Sequence, residues 1–134
     1  MTGGGEDAPS PGGQARADDP RELMPGWLEA RMPRRYATEG LADPVAQARL
    51  YDTATGRCYY LIEYDPFCGV AVGLIKPGPG EGGPAELGTV WVRWMQEEEP
   101  EVLRDTEWVP DSISRVSPSW AERIRIPDYP SPGR

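Results

Sequence analysis

Residues 57–75 read Arg57-Cys-Tyr-Tyr-Leu-Ile-Glu-Tyr-Asp-Pro-Phe-Cys-Gly-Val-Ala-Val-Gly-Leu-Ile75. At the centre, Asp65-Pro-Phe-Cys-Gly69 is typical of a tight turn, because proline fixes φ and glycine permits the chain to return. The side chains alternate on both sides of this turn, with the period of a half-buried strand. The stretch therefore predicts a β-hairpin. The alternation assigns the side chains of its first strand to two faces, with Cys58, Tyr60, Ile62 and Tyr64 on one and Tyr59, Leu61 and Glu63 on the other.

Further alternating segments flank this hairpin. Residues 45–51 predict a strand that joins the hairpin through a turn at 52–56. On the other side, a Gly- and Pro-rich loop at 77–84 leads to a strand predicted over 86–94. Four strands with short turns predict an antiparallel meander, and 107–109 is a candidate fifth strand at its edge.

Short helices are predicted to cover one face of this sheet, because an aliphatic sheet face must be buried. In the N-terminal part, Trp27, Leu28 and Met32 share one face of a possible helix. After the fourth strand, Pro100 limits residues 95–103 to short helical pieces. Residues 120–126 predict a helix or a strand, and both alternatives stay open. The predicted fold class is α+β: a small antiparallel meander of four to five strands with short helices packed on one face.

The chain has 134 residues, with 16 Gly and 16 Pro, which is enough for one domain. Residues 1–20 are rich in Gly and Pro and contain no aromatic or branched aliphatic residue, so they cannot offset the entropy of ordering. We predict disordered tails at 1–20 and 127–134, and a single domain over 21–126.

Composition excludes several chemistries. The chain has no His, which removes His-based triads and His metal ligands. The net charge of −8 argues against nonspecific binding to phosphate backbones. Cys58 and Cys68 fall at opposite ends of the predicted hairpin, too far apart for a disulfide, so we expect free thiols and a cytoplasmic setting. No signal peptide is evident, the longest apolar run is too short to cross a membrane, and no cofactor or metal is predicted.

Three short blocks follow one another at hairpin spacing: Tyr60-Leu-Ile-Glu-Tyr-Asp65, Val72-Gly-Leu74 and Glu86-Leu-Gly88. A fourth block, Arg104-Asp105, leads to Trp108 and Pro110. In this order they resemble a bacterial family, the domain of unknown function twenty-nine fifty-eight, over about residues 33–116. The resemblance implies a plasmid or other mobile-element origin and implies no reaction. This chain departs from the family pattern after the fourth strand, where it reads Val92-Arg-Trp-Met-Gln96. The family-pattern residues, whose role is unknown, are Tyr60, Glu63, Tyr64, Asp65, Glu86, Gly88, Arg104, Asp105 and Trp108.

Catalytic interpretations compete with structural ones. The carboxylates of Glu63, Asp65, Glu86 and Asp105 can hold Mg²⁺ or act as acid and base if they converge. However, Asp before Pro is a common turn opener, and Arg104-Asp105 is equally explained by pairing across a sheet edge. The loop at 77–84 lacks the Lys-Ser or Lys-Thr of a phosphate loop. An enzyme is therefore the less favoured interpretation.

The favoured interpretation is an accessory protein of a mobile element that binds another protein, with interference in host defence as one form. Trp91 and Arg93 on a sheet face would anchor the partner, and Glu97, Glu98, Glu99 and Glu101 would attract its basic groups. The alternative is a nucleic-acid-binding module that uses Arg31, Arg34, Arg35 and Tyr36. A further alternative is a metal-dependent carboxylate enzyme. Nothing in the sequence sets the oligomeric state.

Overall fold

The computed structural model describes residues 18–118. The α+β fold class is confirmed. The helices are α1 (Gly26–Arg31), α2 (Val92–Glu98) and α3 (Ile113–Val116), and the strands are β1 (Val45–Ala46), β2 (Ala48–Asp52), β3 (Cys58–Asp65), β4 (Val70–Lys76), β5 (Glu86–Val90), β6 (Val102–Arg104) and β7 (Asp111–Ser112). The segment 120–126, the tail 127–134 and residues 1–17 of the N-terminal tail lie outside the described residues. Within residues 18–118, no helix is long and apolar enough to cross a membrane.

The main sheet has five antiparallel strands in the order β5-β4-β3-β2-β6, while β1 and β7 form a separate two-stranded sheet. The predicted meander is confirmed for β2 to β5. The predicted edge strand at 107–109 is wrong, because the fifth strand is β6, which pairs with β2. Asp105 N–H still donates to Arg49 O beside β6, and the chain then turns, with Trp108 N–H donating to Asp105 O.

The fourth strand is shorter than predicted. It ends at Val90, and the residues from Val92 onward form α2 instead of continuing to Trp94. Val90 lies opposite Ala71, the second residue of its partner strand, so a strand that continued to Trp94 would run past the end of β4. The helix buries Val92 and Met95 one turn apart.

A β-bulge changes the two faces of β3. Leu61 pairs with Gly73 and Glu63 pairs with Val72, so Ile62 is an extra residue. The alternation slips at this point. Tyr64 therefore packs in the cluster that contains Tyr59 and Leu61, whereas the sequence assigned it to the face of Tyr60 and Ile62.

Both faces of the sheet are covered. The first, which we call the helical face, packs against α1 and α2, and its core consists of Leu23, Leu28, Met32, Ala48, Leu50, Tyr59, Leu61, Tyr64, Ala71, Val90, Val92, Met95 and Val102. The second, which we call the loop face, consists of Ala46, Tyr60, Ile62, Leu74, Ala85 and Ile113, with Cys58, Trp108 and Val116 against them. The prediction of helices on one face holds for α1 and α2, whereas α3 contributes Ile113 to the other. Cys58 and Cys68 are free, as expected.

Residues 18–23, partly assigned to the tail by sequence, close the β6 edge. Arg104 N–H donates to Pro20 O at 2.7 Å, and the Arg21 guanidinium donates to main-chain oxygens of Met95, Gln96 and Val102. The Gln96 side chain returns two bonds, accepting from Leu23 N–H and donating to Arg21 O. These bonds hold Leu23 in the core with no exposed surface.

Candidate functional site

Glu63 anchors the loop that connects α1 to β1. Its side chain is 5% exposed, and its carboxylate accepts hydrogen bonds from Tyr36 N–H at 2.7 Å and Thr38 N–H at 2.8 Å, and a short one from the Thr38 hydroxyl. Burial raises the pKa of Glu63, but these bonds and the charge of Arg35 outweigh it, so the pKa lies below its ordinary value. The anionic carboxylate thus serves as the acceptor for the loop.

The anchored loop walls a cleft on the loop face of about 310 Å³. The lining is mostly apolar and includes Leu41, Pro44, Ile62, Val72 and Leu87. At its rim, Tyr36 has φ +71° and is 65% exposed. A positive φ is unfavourable for a side-chain-bearing residue, and such strain concentrates at functional sites. The hydrogen bond from Tyr36 N–H to Glu63 explains why Tyr36 keeps this positive φ.

Asp65 opens the hairpin turn, as the structural interpretation predicts. Its Oδ1 accepts from Phe67 N–H at 3.0 Å, while Oδ2 lies 3.2 Å from Cys68 Sγ and 3.3 Å from Arg35 Nη1. The hydrogen bond from Cys68 is the largest of the contacts that lower the pKa of Asp65. Glu63 therefore binds the loop before β1 and Asp65 binds the hairpin turn, and Arg35 lies beside both carboxylates. Within residues 18–118, no three metal-ligating side chains of the His, Cys, Asp or Glu type converge.

The predicted anchor residues Trp91 and Arg93 do not share a sheet face, since Trp91 precedes α2 and Arg93 lies in it. The structure instead brings them to the hairpin tip. Arg93 Nη2 donates to Pro66 O at 2.7 Å and Nη1 to Phe67 O at 3.4 Å, and Arg93 N–H donates to Gly69 O. A Cβ on Gly69, which has φ +72°, would lie 2.5 Å from Arg93 Cβ, so glycine is required for this contact.

The two segments joined by this contact carry three large exposed aromatic side chains. Phe67 is 92% exposed, Trp91 58% and Trp94 53%. Trp91 is the residue before α2, and Trp94 follows it three positions later in the first turn. We call Phe67, Trp91, Arg93 and Trp94 the aromatic surface. Sequence analysis missed Phe67 and Trp94, although an apolar residue at the tip of a turn is a signal for Phe67.

The predicted acidic run divides into two parts. Glu97 and Glu98 are exposed at the end of α2, beyond Trp94. Glu99 and Glu101 are half-buried. Burial, followed by the charges of Glu101 and Asp52, raises the pKa of Glu99. The first part is therefore the more exposed of the two.

The predicted basic cluster remains exposed, but its members have partners in the fold. Arg31 lies 5.1 Å from the centroid of the Trp27 ring, and Arg35 lies 5.4 Å from that of Tyr36. Arg34 Nη1 donates to Glu29 O. Each arginine keeps exposed surface. The cluster offers both cations and exposed aromatic rings.

The remaining family-pattern residues have mainly structural positions. Tyr60 packs on Trp108 with ring centroids 5.5 Å apart, and Trp108 Nε1–H donates to Ala46 O. Arg104 and Asp105 do not pair with each other: Arg104 binds Asp18, and Asp105 binds Arg49 at 3.1 Å. Glu86 and Gly88 lie on the edge strand β5, Glu86 exposed and Gly88 half-buried. Sequence analysis missed Asp18 and Arg49 as partners, because each lies far along the chain from the residue it binds.

No protein-family model, curated protein or solved structure matches this chain. The resemblance to the domain of unknown function therefore stays a prediction.

Proposed function

We propose that this protein works by binding another protein through the aromatic surface. The observation that carries the proposal is the exposure of Phe67, Trp91 and Trp94 on the two segments that Arg93 joins. Trp and Arg are enriched among the residues that dominate binding energy at protein interfaces. Leaving three large aromatic side chains in water contributes nothing to the fold, whereas burying them against a partner is favourable.

The contacts beneath the aromatic surface hold its backbone in one conformation. Arg93 bonds the carbonyls of the hairpin tip, and α2 is fixed by burial of Val92 and Met95. An anchor that is held in its bound conformation loses less entropy on binding. Exposed Glu97 and Glu98 lie next along the helix and favour a partner with basic groups beside an apolar pocket. An accessory role on a mobile element, including interference with a host defence protein, is the biological form of this proposal.

Affinity capture with matched variants tests the proposal. We expect the native chain, immobilised and exposed to extract of the cells that produce it, to retain a partner in stoichiometric amount. The W91A/W94A variant should lose at least about tenfold of it, because truncating one hot-spot residue costs about 2 kcal/mol or more. V109A is the control, since Val109 is 74% exposed and lies outside the aromatic surface. Equal retention by W91A/W94A and the native chain, with the fold intact by circular dichroism, contradicts the proposal.

A second candidate is single-stranded nucleic-acid binding through the basic cluster. The observation that favours it is the pair of stacks, Arg31 on Trp27 and Arg35 on Tyr36, with both rings exposed. Arginine planes and aromatic rings stack on unpaired bases. We expect a gel shift with single-stranded DNA or RNA at low salt that R31A/R34A/R35A abolishes. Absence of a shift under those conditions, where electrostatic binding is strongest, rejects this candidate.

A further inference from the structure

The two edges of the five-stranded sheet differ in how they are covered. At the β6 edge, Arg104 N–H donates to Pro20 O, so residues 18–23 cover that strand. At the opposite edge, no strand within residues 18–118 pairs with the outer side of β5. Proteins usually protect such an edge with lysine, proline or a bulge, because unpaired main-chain groups are a template for another strand. The interior of β5, Leu-Gly-Thr, has none of these.

The sheet pattern identifies which main-chain groups face outward from β5. Gln47 N–H donates to Leu61 O, so the polar groups of Leu61 face β2. These groups alternate in direction along an antiparallel strand. Gly73, opposite Leu61, therefore directs its own toward β5, and Gly88, opposite Gly73, directs its own back toward β4. The residues on either side of Gly88 point their N–H and C=O groups to the open edge.

Those two residues, Leu87 and Thr89, also border the apolar cleft. They lie opposite Leu74 and Val72 on the loop face, and Leu87 is one of the residues that line the cleft. Leu87 is 44% exposed, and Leu41 in the loop that walls the cleft is 60% exposed. Paired residues of neighbouring strands share a face of the sheet. A strand added to β5 would therefore direct every second side chain toward this cleft.

A second groove, of about 770 Å³, lies on the other side of β5. Its lining includes Gly88 and Ile75, which packs on the helical-face core. Three charged side chains also line it. Arg57 pairs with Glu81 at 2.5 Å, whereas Glu86 is exposed and makes no salt bridge to another residue of the described chain. Because Gly88 has no side chain, a long side chain can lie over it beside Glu86.

The charges at this edge select among possible occupants. Glu39 and Glu63 are the charged residues that line the apolar cleft, and no basic side chain of residues 18–118 joins them there. Glu86 adds an unpaired carboxylate on the other side. A second copy of the chain would bring the same carboxylates to the edge, and like charges oppose such pairing. Basic residues that alternate with aliphatic ones suit both the second groove and the cleft.

We propose that β5 binds an extended segment of a partner protein as an additional antiparallel strand, in which aliphatic residues alternate with lysine or arginine. The aliphatic side chains enter the apolar cleft beside Leu87, and the basic ones lie in the second groove beside Glu86. In strand addition of this kind, main-chain hydrogen bonds supply affinity and alternate side chains supply specificity. The β5 edge is separate from the aromatic surface, so this inference does not depend on the function proposed above.

Amide exchange with water, measured by NMR on the full chain, tests the inference with the peptide acetyl-Lys-Val-Lys-Val-Lys-amide. We expect the Leu87 and Thr89 amides to exchange about tenfold or more slowly with peptide than without it, because their N–H groups become hydrogen-bonded. The Gly88 amide, which faces β4, is the internal control, and its rate is expected to stay the same.

Two N-methylated peptides separate strand addition from charge attraction. In the proposed pairing, the valines face Leu87 and Thr89 and use their own N–H groups, whereas the lysine N–H groups point away. Methylation of both valine nitrogens is therefore expected to abolish the protection. Methylation of the first two lysine main-chain nitrogens is expected to preserve it, although the charge and composition of the two peptides are the same.

The E86K variant tests the basic half of the recognition. We expect E86K to weaken binding of the lysine peptide about fivefold or more and to strengthen binding of acetyl-Glu-Val-Glu-Val-Glu-amide. E107K is the matched control, because Glu107 is exposed and follows β6 at the opposite edge of the sheet. It makes the same change of charge and is expected to leave both affinities unaltered.

The inference is overturned if the lysine peptide leaves the exchange of Leu87 and Thr89 unchanged, or if the two methylated peptides protect them equally. Protection of these amides in the peptide-free chain also overturns it. Such protection identifies another part of the same chain as the occupant if it is independent of protein concentration, and a second copy if it rises with concentration.

Discussion

The R104A variant is expected to lose about 2–4 kcal/mol of unfolding free energy, because main-chain oxygens of Asp19 and Glu22 and the partly exposed Asp18 carboxylate lose their donor. The Arg104 side chain is 2% exposed and forms a fork with Asp18, with N–O distances of 2.6 and 2.9 Å. It also donates to Glu22 O and Asp19 O and lies 5.4 Å from the Trp27 ring centroid. Removing the guanidinium releases residues 18–23 and opens the core around Leu23. Urea denaturation, analysed with its m-value, measures the loss.

R49A is the matched control. Arg49 also binds an aspartate, Asp105, but the Arg49 side chain is 28% exposed, whereas that of Arg104 is 2% exposed. Partly exposed pairs such as Arg49–Asp105 contribute at most about 1 kcal/mol, so R49A is expected to have a much smaller effect than R104A. Equal losses in the two variants would refute the role of Arg104 as the principal clamp of the N-terminal segment.

The second large effect is expected at Glu63, where E63L should destabilise the protein by about 2–4 kcal/mol. Leucine leaves the partly buried Tyr36 and Thr38 N–H groups without their acceptor, at a cost of up to about 1–3 kcal/mol each. The same denaturation experiment measures this loss. E86Q is the control, because Glu86 is exposed and surface substitutions usually stay within about 0.5 kcal/mol.

Acid titration tests whether the negative charge of the Glu63 carboxylate, and not only the shape of its side chain, stabilises the fold. Because the pKa of Glu63 is lower in the folded state, the unfolded state binds more protons in the window between the two values. The stabilisation by Glu63 is therefore complete above the unfolded value of about 4.3 and is lost as the pH falls through the folded pKa. We expect the stability difference between the native chain and E63Q to be constant near neutrality and to shrink below about pH 4. A constant difference down to pH 2 would contradict the role of the anionic form.

Alternation and turn residues made the central meander predictable, because they act over a few neighbouring residues. The β3–β4 hairpin and the turn closed by Gly56, which has φ +79°, follow directly from the sequence. The bulge at Ile62 could not be predicted in this way, since the run Tyr59 to Tyr64 is apolar or aromatic on both faces apart from Glu63. The end of β5 depends on where its partner strand ends. That is a property of the sheet and not of the residues after Val90.

The candidate sites were predictable only in part. Trp91 and Arg93 were identified as an anchor, but the helix that groups them with Trp94 and Phe67 was not. The role of Glu63 was missed because its partners, Tyr36 and Thr38, lie 25 or more positions away and use mainly backbone groups. Because every residue except proline carries a main-chain N–H, the sequence does not show which of these groups binds a side chain. Contacts of this kind become visible only when the loop is placed against the sheet.

The Arg104 clamp also sets an order of assembly during synthesis. Asp18 and Arg104 are separated by 86 positions. At translation speeds of about 5–20 residues per second, the N-terminal segment waits roughly 4–17 s before its partner has been made. The β2–β5 meander, whose contacts are local, can form in that interval. The earliest described residues of the chain are thus among the last to reach their native position.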